Sequence, residues 1–477
     1  MTDYERNSLK AEIEKRIKDG VCQVLGAGVS NLPLVHWLLK RGAKITVRDV
    51  KPIGSIACAA ELQELGVQLI CGEDYIDSLQ DSECIDKAII FRSPGMRHDL
   101  PQIINAVQKG AILTSEMELF LLLTPSKVVA ITGSDGKTTT TTLTGKILES
   151  TARGRVFVGG NIGRPLLPEV EDMTENDFAV IELSSFQLQT MKHSCDTAVI
   201  TNITPNHLNW HTDMEEYTLA KYNIFKNGGC RCLVLNADNE LSANAACEAD
   251  ISDVIYFTLG KDDKRYKKLF FVKDEKVIFR NEEDEAEILR VSDIKIPGRH
   301  NVANYMAAMG ACLKYLSSFE IVGKIAKSFG GVEHRLELVR VYNGVKYYNS
   351  SIDSTPTRTA AALSALKEKP IVICGGADKG VSFAPLAKAL CDRAKAVILT
   401  GACREKIMSE LEAYNGYDLS CLPVCVCPDF REAVEKAREM ADRGDTVLLS
   451  PACTSFDAFK NFEERGNIFK NIVNSFD

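Results

Sequence analysis

At 477 residues the chain has room for about three domains at the usual ~100 to 200 residues each, and a single compact domain is not expected. Lys and Arg number 57 against 65 Asp and Glu, a formal charge of -8 with a pI near 5.6, which argues against nucleic acid as a partner and requires any phosphate site to be local. No apolar run approaches the ~18 to 20 residues of a membrane span and no secretory signal opens the chain, so a soluble cytoplasmic protein with no membrane partner is expected.

A charged first segment reads as a short helix. Val21–Leu25 is an apolar strand running into Gly26-Ala-Gly28, followed by an amphipathic helix from about Asn31 to Arg41 and a strand, Lys44–Val47, ending at Asp49. Ala88–Arg92 is strand-like and leads into Ser93-Pro94-Gly95, then a helix over Pro101–Lys109 and a further short strand. The opening βαβ pattern therefore closes near residue 118. A second α/β unit begins at Lys127–Thr132 and alternates through Phe178–Leu183 and Ala198–Asn202; short β-rich runs at Leu269–Val272 and Lys276–Phe279 read as hairpins of the same domain, and Glu282-Glu283-Asp284 as a solvated face. From Gly331 the pattern restarts with strands at Lys346–Tyr348, Pro370–Cys374, Ala396–Leu399 and Thr446–Leu449. The expectation is an α/β chain of three domains, 1–118, 119–331 and 332–477, with Rossmann-like first and last domains around a central P-loop-type ATPase domain on a parallel sheet.

Sixteen cysteines are scattered without paired CxxC spacing and read as reduced thiols. Cys421, Cys425 and Cys427 alternate like a strand and lack a fourth nearby ligand, so buried small residues fit better there than zinc.

The strongest local signal is residues 128–139, Val-Val-Ala-Ile-Thr-Gly-Ser-Asp-Gly-Lys-Thr-Thr: an apolar strand, a glycine turn, and a lysine and threonine opening a helix. Gly133 and Gly136 let backbone N–H groups curl around phosphate oxygens, Lys137 neutralises charge, and the Thr138 hydroxyl is placed to ligate magnesium. The generic P-loop asks for glycine where Ile131 stands, so only the shorter G-x-x-G-K-T form holds. A second strand, Phe178–Ile181, ends at Glu182, where a magnesium-binding carboxylate belongs beside a phosphate loop. His207 follows a third strand onto that edge, and Lys221 lies in a helical stretch over Tyr217–Asn227; singly, such residues are usually solvated or satisfied in a core. Gly26-x-Gly28 with Asp49 is half a dinucleotide fingerprint, but Asn31 occupies the third glycine position, so an NAD site is disfavoured; on its own, Asp49 reads as a strand-end carboxylate capping the next turn.

Gly133–Thr139, Gly159-Gly-Asn-Ile-Gly163, Glu182-Leu-Ser-Ser-Phe-Gln-Leu188, Asn202 to His207, Ala220-Lys221, Pro297-Gly-Arg-His-Asn301, His334-Arg335, and the blocks Leu448–Asp457 and Phe459–Gly466 occur in this order and together resemble the Mur ligase family over essentially the whole chain. The last two blocks resemble its D-glutamate-adding members. That resemblance implies an ATP- and Mg2+-dependent ligase of peptidoglycan precursor synthesis, acting as a monomer on UDP-N-acetylmuramoyl-L-alanine and D-glutamate. It implies that Gly133, Ser134, Asp135, Gly136, Lys137, Thr138 and Thr139 cradle ATP, that Thr138 and Glu182 hold one magnesium, and that His207 holds a second with a carbamylated Lys221. It further implies that Asn301 meets adenine and Arg335 the nucleotide, that Asp49, Ser93 and Asn161 face the UDP-linked substrate, and that Lys379, Ser455 and Phe462 bind D-glutamate. Catalysis falls to Lys137, Glu182, His207 and Lys221.

Two segments depart from the family pattern. Asn349-Ser350-Ser351-Ile352-Asp353 carries Ser350 where the family has a ribose-binding aspartate, so either nucleotide affinity falls or Asp353 takes over from a shifted position. Gly375-Gly-Ala-Asp-Lys379 also differs in spacing from some relatives, which leaves the role of Asp378 open. The rival readings are a Mur-type ligase for another amino acid, a folylpolyglutamate synthase, and an ATP-binding regulator that performs no ligation; Glu182, His207 and Lys221 argue against the last, since a pure switch needs no second metal site.

Overall fold

The computed structural model describes residues 3–28, 31–82, 84–193, 195–378, 381–418 and 420–477. The opening helix, Asp3–Asp19, is longer than its sequence suggested. Among the described residues the strands form three sheets. The first holds β1 (Val21–Leu25), β2 (Lys44–Asp49), β3 (Gln68–Cys71), β4 (Ile89–Arg92) and β5 (Ile112–Thr114) in the order β3-β2-β1-β4-β5, every pair parallel. The chain reverses its lateral direction between β1 and β4, so the loops after Leu25 and Arg92 meet at the crevice where such sheets take ligands.

The second sheet contains β6 (Lys127–Thr132), β7 (Val156–Gly160), β8 (Phe178–Glu182), β9 (Thr197–Ile200), β10 (Cys232–Asn236), β11 (Asp253–Phe257), β12 (Lys268–Lys273), β13 (Lys276–Asn281) and β14 (Asp284–Arg290). Their order is β14-β13-β12-β11-β10-β9-β6-β8-β7. The run from β7 to β12 is parallel, and β13 and β14 add an antiparallel meander. The central strands are buried on both faces, which is why they read as unbroken apolar runs. The helix Lys137–Thr151 forms despite a run of β-branched threonines. Thr142, Thr144 and Thr151 donate to the carbonyls four residues back, and Leu143, Ile147 and Leu148 bury the sheet-facing side, so packing overrides propensity.

The third sheet is built from β15 (Glu337–Tyr342), β16 (Val345–Asn349), β17 (Ile371–Gly375), β18 (Ala396–Thr400), β19 (Val424–Val426) and β20 (Thr446–Leu449), ordered β15-β16-β20-β17-β18-β19. Only β15 runs antiparallel, joined to β16 through Asn343 and Gly344, both in the left-handed region that such a hairpin needs. By contacts the chain divides into two compact units. Met1–Val291 with Val302–Ile325 carries the first two sheets, and Ser292–Asn301 with Ala326–Asp477 carries the third.

Candidate active site

The C-terminal ends of β6, β8 and β9 lie on one edge of the second sheet, and the residues singled out between 133 and 221 gather there. Gly133 has φ +151 and a side chain on it would collide with Thr201 Oγ1 at 1.9 Å, so the turn after β6 requires glycine. The loop is held open by its neighbours. Ser134 N donates to Asn202 O (2.8 Å), Asp135 N to Asn202 Oδ1 (2.8 Å), and Thr201 Oγ1 to Asp135 O (2.6 Å). Ser134 Oγ donates to Thr204 O (3.0 Å) and lies 2.9 Å from the Tyr217 hydroxyl. Gly136 caps the helix that begins at Lys137, so the turn after β6 ends on a helix N-terminus, the end that favours anions.

Lys137 Nζ donates to the carbonyls of Gly133 and Ser134, both at 3.0 Å. Lys221, on the helix Met214–Lys226, reaches the same Gly133 carbonyl at 2.9 Å and is only 1% exposed. Two lysine side-chain nitrogens thus converge on one oxygen. Burial first, and the Lys137 charge second, hold the Lys221 amine well below the usual lysine range, with Glu182 and Asp135 opposing.

Glu182 sits at the end of β8 with both carboxylate oxygens engaged: Oε2 accepts from Thr138 Oγ1 and Oε1 from Asn161 Nδ2, each at 2.8 Å. Asn161 N also donates to Glu182 O at 2.8 Å, which fixes the Gly159–Gly163 turn against the strand end. The donors assembled here are a hydroxyl, a carboxylate and a carboxamide, the hard oxygen set that magnesium prefers. His207 lies on the same edge at φ +56 with its ring 4.8 Å from Phe186. Partial burial, then Lys137 and Lys221, keep its imidazole below the usual histidine range, which favours the neutral form that can ligate a metal.

Sequence reasoning overlooked what aims this segment. His211, fully buried, places Nε2 2.9 Å from Ser185 Oγ and stacks on Phe186, while Trp210 Nε1 donates to Gly95 O at 2.9 Å. Arg97 donates to Trp210 O (3.0 Å) and to Glu216 (3.2 Å), and Arg92, 1% exposed, donates to Pro94 O, Met96 O, Phe186 O and Thr190 Oγ1. These contacts seat the loop after β4 against the helix that follows Glu182. The sequence clue was Trp210 set beside His211, four residues after His207.

In the first sheet, Asp49 accepts from Ala27 N (2.8 Å) and Lys51 N (2.9 Å), the turn-capping role, and Ser93 Oγ donates to Leu25 O at 2.5 Å. Asn31, where a dinucleotide fingerprint has glycine, donates to Leu25 O, Gly26 O and Ser93 Oγ and ties the loops after β1 and β4 together.

In the second unit, Asn301 is in the first turn of the helix Arg299–Cys312, its Nδ2 donating to Pro297 O at 2.6 Å, and Arg335 lies in the turn before β15, its N donating to Val332 O. Ser455 is buried after β20, and Phe462 opens the last helix with its ring 5.9 Å from that of His334. Lys379 lies outside the described residues. Asp353 points inward: it accepts from Ser450 Oγ at 2.8 Å, and burial raises it to about 6. Asp378 pairs with Lys406 at 2.9 Å.

Comparison with known proteins places this arrangement. The Mur ligase MurD-like N-terminal domain matches residues 21–115, the Mur ligase middle domain 131–312, and the Mur ligase glutamate ligase domain 334–453. UDP-N-acetylmuramoylalanine--D-glutamate ligase of Ruminiclostridium cellulolyticum is 44% identical over 98% of this chain and 99% of its own length. The enzyme of that name from Clostridium kluyveri is 47% identical over 94% and 96%. Two solved structures at 18% identity share the fold: a UDP-N-acetylmuramoyl-L-alanyl-D-glutamate--2,6-diaminopimelate ligase (TM-score 0.55, 81% of this chain and 86% of that one) and a UDP-N-acetylmuramate-alanine ligase from Thermotoga maritima (TM-score 0.54, 95% and 99%). With three domain matches in order and such identity over nearly its whole length, the chain belongs to the Mur ligase family.

Proposed function

We propose that this protein is the ATP-dependent ligase that joins D-glutamate to UDP-N-acetylmuramoyl-L-alanine in peptidoglycan precursor synthesis, with domains at 1–118, 119–331 and 332–477. The observation that carries the reading is the convergence of Lys137, Thr138, Glu182 and Lys221 within hydrogen-bond reach of one turn, in a chain 44% identical to ligases of that name. Both substrates are small molecules, and a nucleotide-linked precursor and ATP meet in the cytoplasm. No helix among the described residues is long and apolar enough to cross a membrane.

The residues divide the work by charge. Lys137 and the helix amides after Gly136 bind the ATP phosphates and offset the charge that builds as a carboxylate oxygen of the alanyl substrate attacks the γ-phosphorus and ADP departs. Thr138 and Glu182 would hold magnesium, and His207 with Lys221 a second ion; when bound, magnesium neutralises and orients the phosphates. Lys221 acquires a metal-binding oxygen by adding its neutral amine to carbon dioxide, forming a carbamate and releasing a proton; its depressed basicity supplies the free amine. The D-glutamate amine then attacks the acyl phosphate carbon, phosphate leaves, and an amide remains. Ser93 and Asn161 face the UDP-linked substrate, Asn301 and Arg335 the nucleotide, and Lys379, Ser455 and Phe462 the amino acid.

The test is phosphate release from ATP with magnesium and UDP-N-acetylmuramoyl-L-alanine, offering D-glutamate, L-lysine, meso-diaminopimelate or L-alanine. Release that needs D-glutamate, with the amide seen by mass, supports the assignment. Preference for another amine replaces the substrate, and no release despite ATP binding overturns the ligase.

A further inference from the structure

The ends of β16, β20 and β17 are neighbours in the third sheet, where the chain returns from β19 to insert β20 between β16 and β17, and open α/β sheets take ligands outside such carboxyl ends. The three loops leaving these ends are Ser350–Asp353, Ser450–Ser455 and Gly376–Asp378. One side chain, Arg465 on the last helix, bonds to the first two and lies close against Gly376 of the third. It is 2% exposed; its Nε donates to Ser351 Oγ (3.0 Å), Nη2 to Ser351 O (2.9 Å) and Cys453 O (3.1 Å), and Nη1 to Thr454 O (3.1 Å). Gly376 lies so close that a side chain there would sit 3.1 Å from Nη1 and 2.1 Å from Thr454 O. Ser351 Oγ in turn donates to Phe462 O at 2.8 Å, which extends the network to the start of the last helix.

Among the described residues every hydrogen-bond partner of this guanidinium is a neutral oxygen. Asp457 and Asp353 act on it through their charge without a hydrogen bond among those it makes, and Asp353 is itself occupied with Ser450. A buried cation lacking a contacting carboxylate is costly unless a counter-charge arrives. At a strand edge that receives a ligand, an anionic ligand supplies it.

We propose that Arg465 is the positioning residue of the acceptor site: it fixes the ends of β16, β17 and β20 together, and its uncompensated charge beneath them favours an acceptor amino acid carrying two carboxylates. This rests on the ligase reading. Arg465 acts through the loops it holds, not on the reacting atoms, and its effect belongs to amino-acid binding.

The experiment compares wild type with Arg465→Met, Arg465→Lys and Ser351→Ala, measuring kcat and KM for D-glutamate, for D-glutamine as the acceptor with one charge fewer, and for ATP. Arg465→Met should raise the D-glutamate KM tenfold or more, hold the ATP KM within twofold, and narrow the preference for D-glutamate over D-glutamine; Arg465→Lys should restore most of that preference. Equal losses for both acceptors, or an ATP KM that rises in parallel, would reduce Arg465 to a structural residue and overturn the inference. Should Arg465→Met fail to fold, Ser351→Ala decides: a several-fold rise in D-glutamate KM alone supports the network, and an unmoved KM overturns it. An active wild type with unmoved variants sinks this inference alone, whereas a wild type inactive with D-glutamate sinks the ligase reading as well.

Discussion

Glu182 is the residue on which the site turns, because one carboxylate receives both the Thr138 hydroxyl and the Asn161 amide. Glu182→Gln preserves size but turns one oxygen into a donor that faces another donor. We expect kcat to fall by about two to three orders of magnitude, the usual cost of removing a charge-stabilising group, while the melting temperature stays within a few degrees. Lys221 gives a sharper test. Its carbamate reading predicts that activity measured in carbon dioxide-depleted buffer recovers on adding bicarbonate, and that Lys221→Arg loses activity that bicarbonate does not restore; indifference of wild type to bicarbonate would remove the carbamate. At this scale the sequence was informative wherever chemistry demanded a residue type in a fixed spacing, as in Gly133–Thr139. It assigned no role to Asn202, Thr201, Ser351 and Arg465, whose importance comes from which groups they meet across long sequence distances.

At the scale of elements, the helix Glu116–Leu123 carries two carboxylates, Glu116 and Glu118, that are almost wholly buried. Glu118 Oε1 accepts from Lys192 N at 2.7 Å. Burial raises each to about 7. Because the folded value lies above the unfolded one, their contribution is fully present below pH about 4.5 and is lost as pH rises through about 7, a tenfold difference in proton affinity between the two states being worth about 1.4 kcal/mol. Glu118→Gln, which cannot ionise, should therefore gain on wild type in urea midpoint as pH climbs from 4.5 to 7, and parallel midpoints across that range would contradict it. Strands such as β1, β6 and β8 were legible because unbroken apolar runs mark positions covered on both faces. β15 was not, although Glu-Leu-Val-Arg-Val-Tyr alternates and Asn343-Gly344 is a hairpin turn; its half-exposed pattern resembles a loop until the partner β16 is placed beside it. β7 was hidden by the glycines that end it.

On the scale of the whole molecule, three domains could be counted from the restarts of the α/β pattern, since each new sheet begins a new hydrophobic alternation. The seating of the first sheet against the second could not, because it depends on single long-range contacts: Trp210 to Gly95, Arg97 to Glu216, and Arg92 to Phe186. These join the loop expected to face the UDP-linked substrate to the segment bearing His207. Replacing Trp210 with Ala removes a hydrogen bond and the surface on which Arg97 stacks, about 1 to 2 kcal/mol. The expected outcome is a KM for the UDP-linked substrate raised about tenfold with little change for ATP; equal rises for both would mean that the contact merely supports folding.

The meander that finishes the second sheet has one more consequence. β14 is an edge strand whose Asp284, Glu285 and Glu287 are exposed. An approaching strand from another molecule would bring its own backbone carbonyls toward a row of carboxylates, whose charge and hydration it would have to displace for each ladder bond gained. The outermost β-strand on that side of the widest sheet is thereby a poor template for chain-to-chain growth, and the acidity that looked like simple surface solvation in the sequence acts as a guard against aggregation through that edge.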